Sequence, residues 1–573
     1  MSRRLLELCD GCVIYFARQT VLKDTDRERM KRAKATIICL TDDIYSLGPR
    51  RLSAQLKRNG FECTLVFLQP KGLWGLLRER FRPLPEDSDL GERLRQQLLE
   101  LCRDSLVVGL NVWTYRIDRA IHVTRFLQKN LHCPVVWGGI HPTCFPEQSI
   151  KEAEGICLGE GDISFLRLAE ALRDGRDYRQ TRGFWFRDGD QVVRNPIEPL
   201  IQNLDDLPFQ DFEFEDHFVN EDGTLKQMNM RLMRKYHGAK IDTLFSQGCP
   251  YKCAFCSNDR LIDLNSGYRR FRSHSVDFFL AELRYILSRY PSVYNIIIED
   301  DAFMFLPIEL IREFAEKYKK DFKVPFFVGG VIPASLNRDK LQILIDAGMI
   351  KMRVGIQSGN RRIMRDVFMR PLHEAHLIEG SEIAYKNRKK IGPVQYDLIV
   401  DNPLEHPEEL KDTIRLVHRL KRPYTIALNS LRLLPGTAIH RMAQKAGLTK
   451  DDDRIISSSF EHFMPNMLNL TLSFYNITRV PGFWLRYVLK KDFGERTVTM
   501  KRYPVLGAFV LAAAILKKNF HNLIRGDIFL LPRPLDAWFG RFFVRPSFRT
   551  DAGLASDSHP YSHALPRRNA DIV

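Results

Sequence analysis

A chain of 573 residues with 87 Lys and Arg against 70 Asp and Glu, a formal net charge of +17 and eleven cysteines is long enough to bury several separate cores. The basic excess suits an anionic substrate, a membrane surface or nucleic acid and compels none of them, because outside short clusters such as Arg231 to Lys235 and Arg388 to Lys390 the charge is interspersed. Neither a secretory signal nor a membrane span is expected: the first apolar run is broken by Glu7, Asp10 and Arg18, and the longest, Val505 to Leu516, falls well short of the roughly 20 residues a span needs. The expectation is a cytoplasmic protein with reduced cysteines. Cys39, Cys63 and Cys157 fall in apolar runs, where a small buried hydrophobe is the default, and the Cys9/Cys12 pair has no second pair to complete a metal site.

In chain order, residues 1–33 read as an N-terminal extension. Residues 34–175 alternate short apolar runs with amphipathic stretches: strands at Thr36 to Leu40, Cys63 to Leu68, Leu106 to Leu110, Pro134 to Trp137 and Gly155 to Leu158, with helices such as Pro49 to Asn59 and Arg116 to Asn130 between them. This rhythm predicts an α/β domain with a doubly wound parallel sheet, which binds ligands at the carboxyl ends of its strands. The loops at those ends are Asp43 to Gly48, Asn111 to Thr114, Gly138 to Pro142 and Gly159 to Gly161, and their glycines let backbone approach a bulky ligand. Residues 176–240 read as a connection, with a small hairpin about Asp188-Gly189 and a linker marked by Pro208 and the acidic stretch Asp211 to Asp216.

From Ile241 to about residue 450 the βα rhythm resumes, with strands at Asp242 to Gln247, Asn295 to Ile298, Pro325 to Val328, Lys351 to Val354, Gln395 to Val400 and Thr425 to Leu433. Six such units make an open barrel rather than a closed one of eight. Polar residues crowd the strand ends: Glu299, Asp300 and Asp301 after the second, Gln357, Ser358 and Gly359 after the fourth, Asp401 after the fifth. Any one of them alone is as well explained as a helix N-cap; their joint occurrence favours a site.

The first of these strands runs into Cys249-Pro-Tyr-Lys-Cys253-Ala-Phe-Cys256. A tetrahedral structural zinc wants a fourth protein ligand, and no cysteine follows Cys256. An iron-sulfur cubane takes four thiolates, so three leave one iron open. A zinc knuckle, or simply reduced core cysteines, is the alternative for the triplet taken alone.

This CxxxCxxC, with the aromatic Phe255 before its last cysteine, resembles the signature of the radical S-adenosylmethionine (SAM) enzymes. The four N-terminal loops resemble, in order and spacing, the cobalamin-binding, Rossmann-like domain that precedes the barrel in one large branch of that family, and Leu204-Asp-Asp-Leu-Pro-Phe209 is similar to the segment joining the two. The resemblance implies a 4Fe-4S cluster on Cys249, Cys253 and Cys256 whose open iron chelates SAM. It implies SAM contacts from Phe255, from Glu299, Asp300 and Asp301 to the ammonium, from Gln357, Ser358 and Gly359 to ribose and carboxylate, and from Asp401 near the adenine. Many relatives carry glutamate where Gln357 stands, and an amide brings no charge. Cobalamin contacts are implied for Tyr45, Gly48, Asn111, Thr114, Gly138, Gly139, His141, Gly159, Glu160 and Gly161. Tyr45 occupies the place of the histidine that ligates cobalt in other cobalamin proteins, which implies a cofactor with its base displaced and no protein histidine in its stead; His141 shapes its loop.

The function implied is methyl transfer to an unactivated carbon or phosphorus of a small-molecule or lipid-like substrate, with flavodoxin or ferredoxin as electron donor and no nucleic acid. The same cofactors without methyl transfer, in a cyclisation, rearrangement or oxidation, give the competing enzyme reading. A zinc-containing nucleic-acid-binding protein is the reading from another class. No general acid or base is singled out. Residues 451–548, rich in aromatic and basic residues, read as a helical cap with helices at Phe483 to Lys491 and Phe509 to Lys518; their apolar faces suit packing on the barrel or, less readily, peripheral contact with a membrane. Residues 549–573 read as a disordered tail.

Overall fold

The computed structural model describes residues 33–41, 44–68, 90–434, 436–448, 463–494 and 496–524. The expected extension, the start of the cap, residues 525–548 and the tail lie outside the described residues. The first sheet begins with β1 (Lys34–Cys39), β2 (Glu62–Phe67), β3 (Ser105–Asn111), β4 (Val135–Gly138) and β5 (Gly155–Cys157), alternating with α1 (Leu47–Arg58), α2 (Glu92–Cys102), α3 (Ile117–Asn130) and, after β5, α4 (Asp162–Arg173). These strands lie in the order β5-β4-β3-β1-β2, all parallel, with Ile37 opposite both Leu65 and Gly109. Alternate residues enter opposite cores: Ala35, Ile37 and Cys39 face α1 and α4, whereas Ile38 and Leu40 face α2 and α3. That is the doubly wound arrangement read from the sequence, and its topological switch point lies between β1 and β3.

The connection does more than join. Hairpin β6 (Phe184–Asp188) and β7 (Gln191–Arg194) adds antiparallel to β5, and a second hairpin, β8 (His217–Glu221) and β9 (Thr224–Gln227), adds at the other edge with β8 parallel to β2. The expected linker between residues 176 and 240 therefore supplies four of the nine strands, because both edges of the five-stranded core present unpaired backbone that the hairpins cover. Asp211 in this connection is fully buried beside Ser53, Lys57 (2.9 Å) and His217 (3.2 Å). Burial alone would raise its carboxyl, but His217 and Lys57 hold it well below the usual carboxylate range.

After α5 (Met230–Tyr236) the second sheet runs β10 (Lys240–Thr243), β13 (Asn295–Ile298), β14 (Phe326–Val331), β15 (Met349–Gln357), β16 (Val394–Val400) and β17 (Tyr424–Ser430), parallel and in sequential order. The six strands of an open barrel are all present. The first expected strand, Asp242 to Gln247, is broken: β10 ends at Thr243, and Ser246–Gln247 (β11) turns aside to pair antiparallel with Arg272–Ser273 (β12). Helices α6 (Ser257–Leu264), α7 (Val276–Arg289), α8 (Ile308–Asp321), α9 (Arg338–Asp346), α10 (Glu374–Lys386), α11 (Pro407–Arg419) and α12 (Ala438–Lys445) accompany the strands. One continuous apolar cluster runs from one face of the first sheet through Phe245 into the barrel's outer layer, so the two sheets share a core.

The cap contributes α13 (Met467–Phe474), α14 (Gly482–Lys490) and α15 (Pro504–Ile524). β17 is an edge strand, and the Asn476 side chain closes it: Ile426 N donates to Asn476 Oδ1 (2.6 Å) and Asn476 Nδ2 donates to Ile426 O (2.9 Å). No described helix is long and apolar enough to cross a membrane.

Candidate active site

The cysteine loop leaves the carboxyl end of β10 and is held by backbone on three sides. Cys249 N donates to Tyr268 O (3.1 Å), Ala254 N to Phe368 O (3.1 Å), and Ile439 N to Ala254 O (3.1 Å). Gly248 has φ +106°, and a Cβ there would lie 2.3 Å from Arg270 O, so glycine alone fits before Cys249. Phe255 packs edge-on against Phe368 at 5.0 Å. Asp300 holds the break after β10: its Oδ1 accepts from Phe245 N and its Oδ2 from Ser246 N, both at 2.8 Å, with Ser246 Oγ alongside. Burial pushes the Asp300 carboxyl up to about 7 against those donors.

Cys249 and Cys253 are buried and Cys256 half-buried. Burial pushes the thiols up, to about 11 for Cys249 and about 12 for Cys256, with Cys253 adding to the rise at Cys249 and both adding to that at Cys256, so the three lie close together. Among the described residues no group of three or more His, Cys, Asp or Glu could hold a single metal ion. A cubane instead takes one thiolate per iron and spreads its ligands over separate corners. Three neighbouring thiols, two buried and one half-buried, fit that group. Of the other described cysteines, Cys133 is half-buried and the rest are core residues, Cys63, Cys102 and Cys157 with thiols pushed by burial to about 12.

The expected SAM residues fall into two groups, one of partly exposed carboxylates and an amide, the other bound within the chain. Glu299 is half-buried, its carboxylate against Gly329 of β14 and near Arg353. Asp301 opens to the mouth in a recess deep enough that burial still raises its carboxyl, and it acts on Cys249 and Cys256. Gln357 is half-buried at the end of β15. Ser358 and Gly359, by contrast, bind the chain itself: Ser358 Oγ lies 3.3 Å from Thr413 Oγ1, Gly359 N donates to Thr413 Oγ1 (2.7 Å), and Asn360 N donates to Ser358 Oγ (3.2 Å). The Asp401 carboxylate accepts from Met464 N (2.8 Å) and Asn469 Nδ2 (2.7 Å), so it anchors the cap at the end of β16. Gln357 (φ +71°), Met369 (φ +54°) and Asp401 (φ +57°) are three of the four non-glycine residues in left-handed backbone among the described residues, a strain of order 1–3 kcal/mol each that collects at this mouth.

Three features were missed from sequence. Arg370 is buried against the cysteines, hydrogen-bonds Cys253 and donates from Nη2 to Gly355 O (2.6 Å); burial lowers its pKa, and the cysteines oppose that. Glu405 is buried with its Oε1 3.5 Å from Ser358 Oγ and its Oε2 unpartnered, and burial pushes its carboxyl up to about 8. Along β15, Lys351, Arg353, Gly355 and Gln357 share the partly exposed face, and Arg353 pairs with Asp397 of β16, which places charge inside the barrel. Polar residues at period two in a strand expected to be apolar on both faces were the available signal.

A second cavity, about 950 Å³ with the space open to solvent, lies over the switch point of the first sheet, between Ile37 of β1 and Gly109 and Leu110 of β3. Gly48, Asn111, Gly138, Gly139, Gly159, Glu160 and Gly161 all line it. Gly139 has φ +102°, and a Cβ there would lie 2.6 Å from Asn111 Oδ1. Tyr45, Thr114 and His141 are not among its lining. Tyr45 packs against His237 at 5.8 Å. His141 is fully buried, stacked on Phe145 at 4.9 Å with Nδ1 3.3 Å from Thr114 Oγ1, and burial lowers its pKa to about 4. A neutral imidazole bedded in aromatics shapes its loop.

The cavity and the cysteine loop share a wall. Leu244 and Gln247, from the broken end of the first barrel strand, line the cavity opposite the glycine loops. Arg272 of β12 reaches across: Nη1 donates to Glu160 Oε2 (3.1 Å) and Ile201 O (2.8 Å), and Nη2 to Glu160 Oε1 (2.5 Å) and Gln247 Oε1 (3.3 Å). Tyr268, whose carbonyl holds Cys249 N, fills the space over Gly159, where a Cβ would lie 2.9 Å from its hydroxyl.

The model of the radical SAM superfamily matches residues 243–417, which begin at the end of β10 and contain all three cysteines. Residues 243–417 are a radical SAM domain. Among curated proteins the chain is similar to the uncharacterized methyltransferase PH0819 of Pyrococcus horikoshii, 26% identical over 59% of this chain and 70% of that protein. It is also similar to the anaerobic magnesium-protoporphyrin IX monomethyl ester cyclase of Synechocystis, 30% identical over 32% of this chain and 34% of the cyclase, so it spans only about a third of that relative. In fold it matches the radical SAM methyltransferase TsrM of Kitasatospora setae, a structure with cobalamin and a [4Fe-4S] cluster bound, at TM-score 0.55 and 17% identity over 72% of this chain and 78% of TsrM. The radical SAM domain is thus preceded in this chain by a doubly wound sheet.

Proposed function

We propose that this radical SAM enzyme is a cobalamin-dependent methyltransferase acting on an unactivated carbon or phosphorus of a small-molecule or lipid-like substrate. The observation that carries the reading is the shared wall: the glycine-lined cavity at the switch point and the cysteine loop meet at Leu244 and Gln247. A bulky, largely apolar ring system suits the cavity, because its loops offer backbone and small residues, and the one charged loop residue, Glu160, is paired with Arg272. When bound, the cluster supplies the electron that divides SAM into methionine and a 5'-deoxyadenosyl radical, and the corrin supplies a methyl group.

The protein's own residues do the positioning. Cys249, Cys253 and Cys256 hold iron, and the buried Arg370 guanidinium beside them offsets the charge their thiolates bring. Asp301 and Glu299 offer carboxylates toward the SAM ammonium, and Gln357 a neutral amide. Arg353, Asp397 and Lys351 give the barrel interior a charged lining that orients a polar substrate group, while the apolar walls keep water from a radical. Flavodoxin or ferredoxin serves as the electron donor.

The cyclase relative favours a second reading, in which the substrate radical is consumed without methyl transfer. Reconstituted enzyme given a metabolite extract and SAM with a deuterated methyl group separates the two. The methyltransferase reading expects 5'-deoxyadenosine together with a product carrying the label; 5'-deoxyadenosine with no labelled product removes methyl transfer and leaves the second reading.

A further inference from the structure

From Pro504 to Leu516 helix α15 is apolar around its whole circumference, a pattern that belongs in an interior. Its inner face is small: Gly507 and Ala514 are buried, and a Cβ at Gly507 would lie 2.7 Å from Pro465. Its outer face is not covered. Val505, Phe509 and Leu516 are 69%, 71% and 70% exposed, with Leu506 and Ile515 beside them. On α14, Phe483 is 69% exposed and Tyr487 is exposed too. Of the ten exposed large hydrophobic residues among the described part of the chain, seven lie on these two helices, so the apolar exposure is concentrated on the cap rather than scattered.

Charge decides among the occupants such a patch could have. Residues 463–517 carry eight Lys or Arg against two acids, Asp492 and Glu495. Arg486, Lys490, Lys501 and Arg502 are exposed along the rim of the patch. A second copy meeting this face about a two-fold axis brings the same cations against themselves, which costs free energy. An anionic lipid surface takes the apolar residues into its acyl boundary and the cations at its headgroups. We propose that α14 and α15 form a docking face for an anionic bilayer, on which the protein lies without spanning. The cap is hydrogen-bonded to the mouth through Asp401, and Tyr503 N, just before α15, donates to Pro465 O (2.8 Å), so docking sets the barrel opening beside the membrane. The docking claim stands apart from the radical chemistry, and its failure leaves that chemistry untouched.

The test is flotation of the full-length, cluster-loaded protein with phosphatidylcholine vesicles and with vesicles containing about 30% phosphatidylglycerol, in low and high salt. The expected result is partition onto the anionic vesicles at least tenfold stronger than onto the neutral ones. Phe509→Glu with Leu516→Glu should abolish it, and Lys501→Glu with Arg502→Glu should weaken it severalfold, each with iron content and circular dichroism unchanged. No partition onto anionic vesicles, or equal partition by the Phe509→Glu/Leu516→Glu variant, overturns the proposal. So does a lipid-free dimer that this variant splits, or hydroxyl-radical footprinting that finds Phe509 and Leu516 shielded in the monomer by residues 525–573.

Discussion

The two cavities of this enzyme are built on opposite principles. The one over the first sheet is walled by glycines, backbone and apolar side chains, with Arg51, Glu160 and Asp162 as its charges. The barrel mouth crowds Asp300, Asp301, Arg370, Glu405 and the Arg353–Asp397 pair around three thiols. A large ring system is held by shape, and shape is made by removing side chains; a small zwitterion such as SAM is held by polar and charged groups, whose interactions strengthen away from water. What joins the two is a short run of polar contacts through Arg272 and Tyr268.

The contrast is broken most severely by removing thiols. Cys249→Ala, Cys253→Ala or Cys256→Ala should eliminate iron and sulfide and reduce 5'-deoxyadenosine formation to background, read by metal analysis and product chromatography, while corrinoid binding to the first cavity survives. The converse variant is Gly48→Trp, at a cavity-lining position with no atom within 4 Å of a built Cβ. A ring there should lower corrinoid affinity tenfold or more by absorbance titration and leave iron content intact.

Arg272→Gln tests the bridge. It leaves the Glu160 carboxylate without its partner in a largely buried contact, which costs on the order of 3 kcal/mol in chemical denaturation, and it should weaken corrinoid binding as well. The effect of Glu405 depends on pH. Its carboxyl sits near 8 in the folded protein against 4.5 ordinarily, so the folded state favours the protonated form, and stability falls as pH rises from about 4.5 to about 8. Glu405→Gln should remove that slope and raise the melting temperature at pH 8 but not at pH 4.5. At the bottom of the scale, Arg365→Ala breaks only the exposed pair with Asp366 and should leave the melting temperature unchanged within the error of a thermal scan.

What the chain made legible follows the same division. The cysteine spacing, the glycine loops and both βα rhythms are local patterns, and the structure contains the cavity and the six barrel strands they predict. Partnership over long distance was not legible. Nothing in Phe184 to Val193 says that it pairs with Gly155–Cys157, and nothing in Asp300 or Asp401 says that backbone and Asn469 engage those carboxylates first. Arg370 stands alone in a loop, where no period marks it. Arg353 and Asp397 did carry a signal, charge at alternate positions of buried strands, and it went unread because parallel strands were expected to be apolar throughout.

The account stands most directly on the cofactor content of one anaerobic preparation. It predicts about four irons, about four sulfides and one corrinoid per chain, with the Cys249→Ala/Cys253→Ala/Cys256→Ala protein losing the iron and sulfide and keeping the corrinoid. Zinc in place of iron and sulfide, or a chain that retains no corrinoid when its cluster is intact, would contradict it.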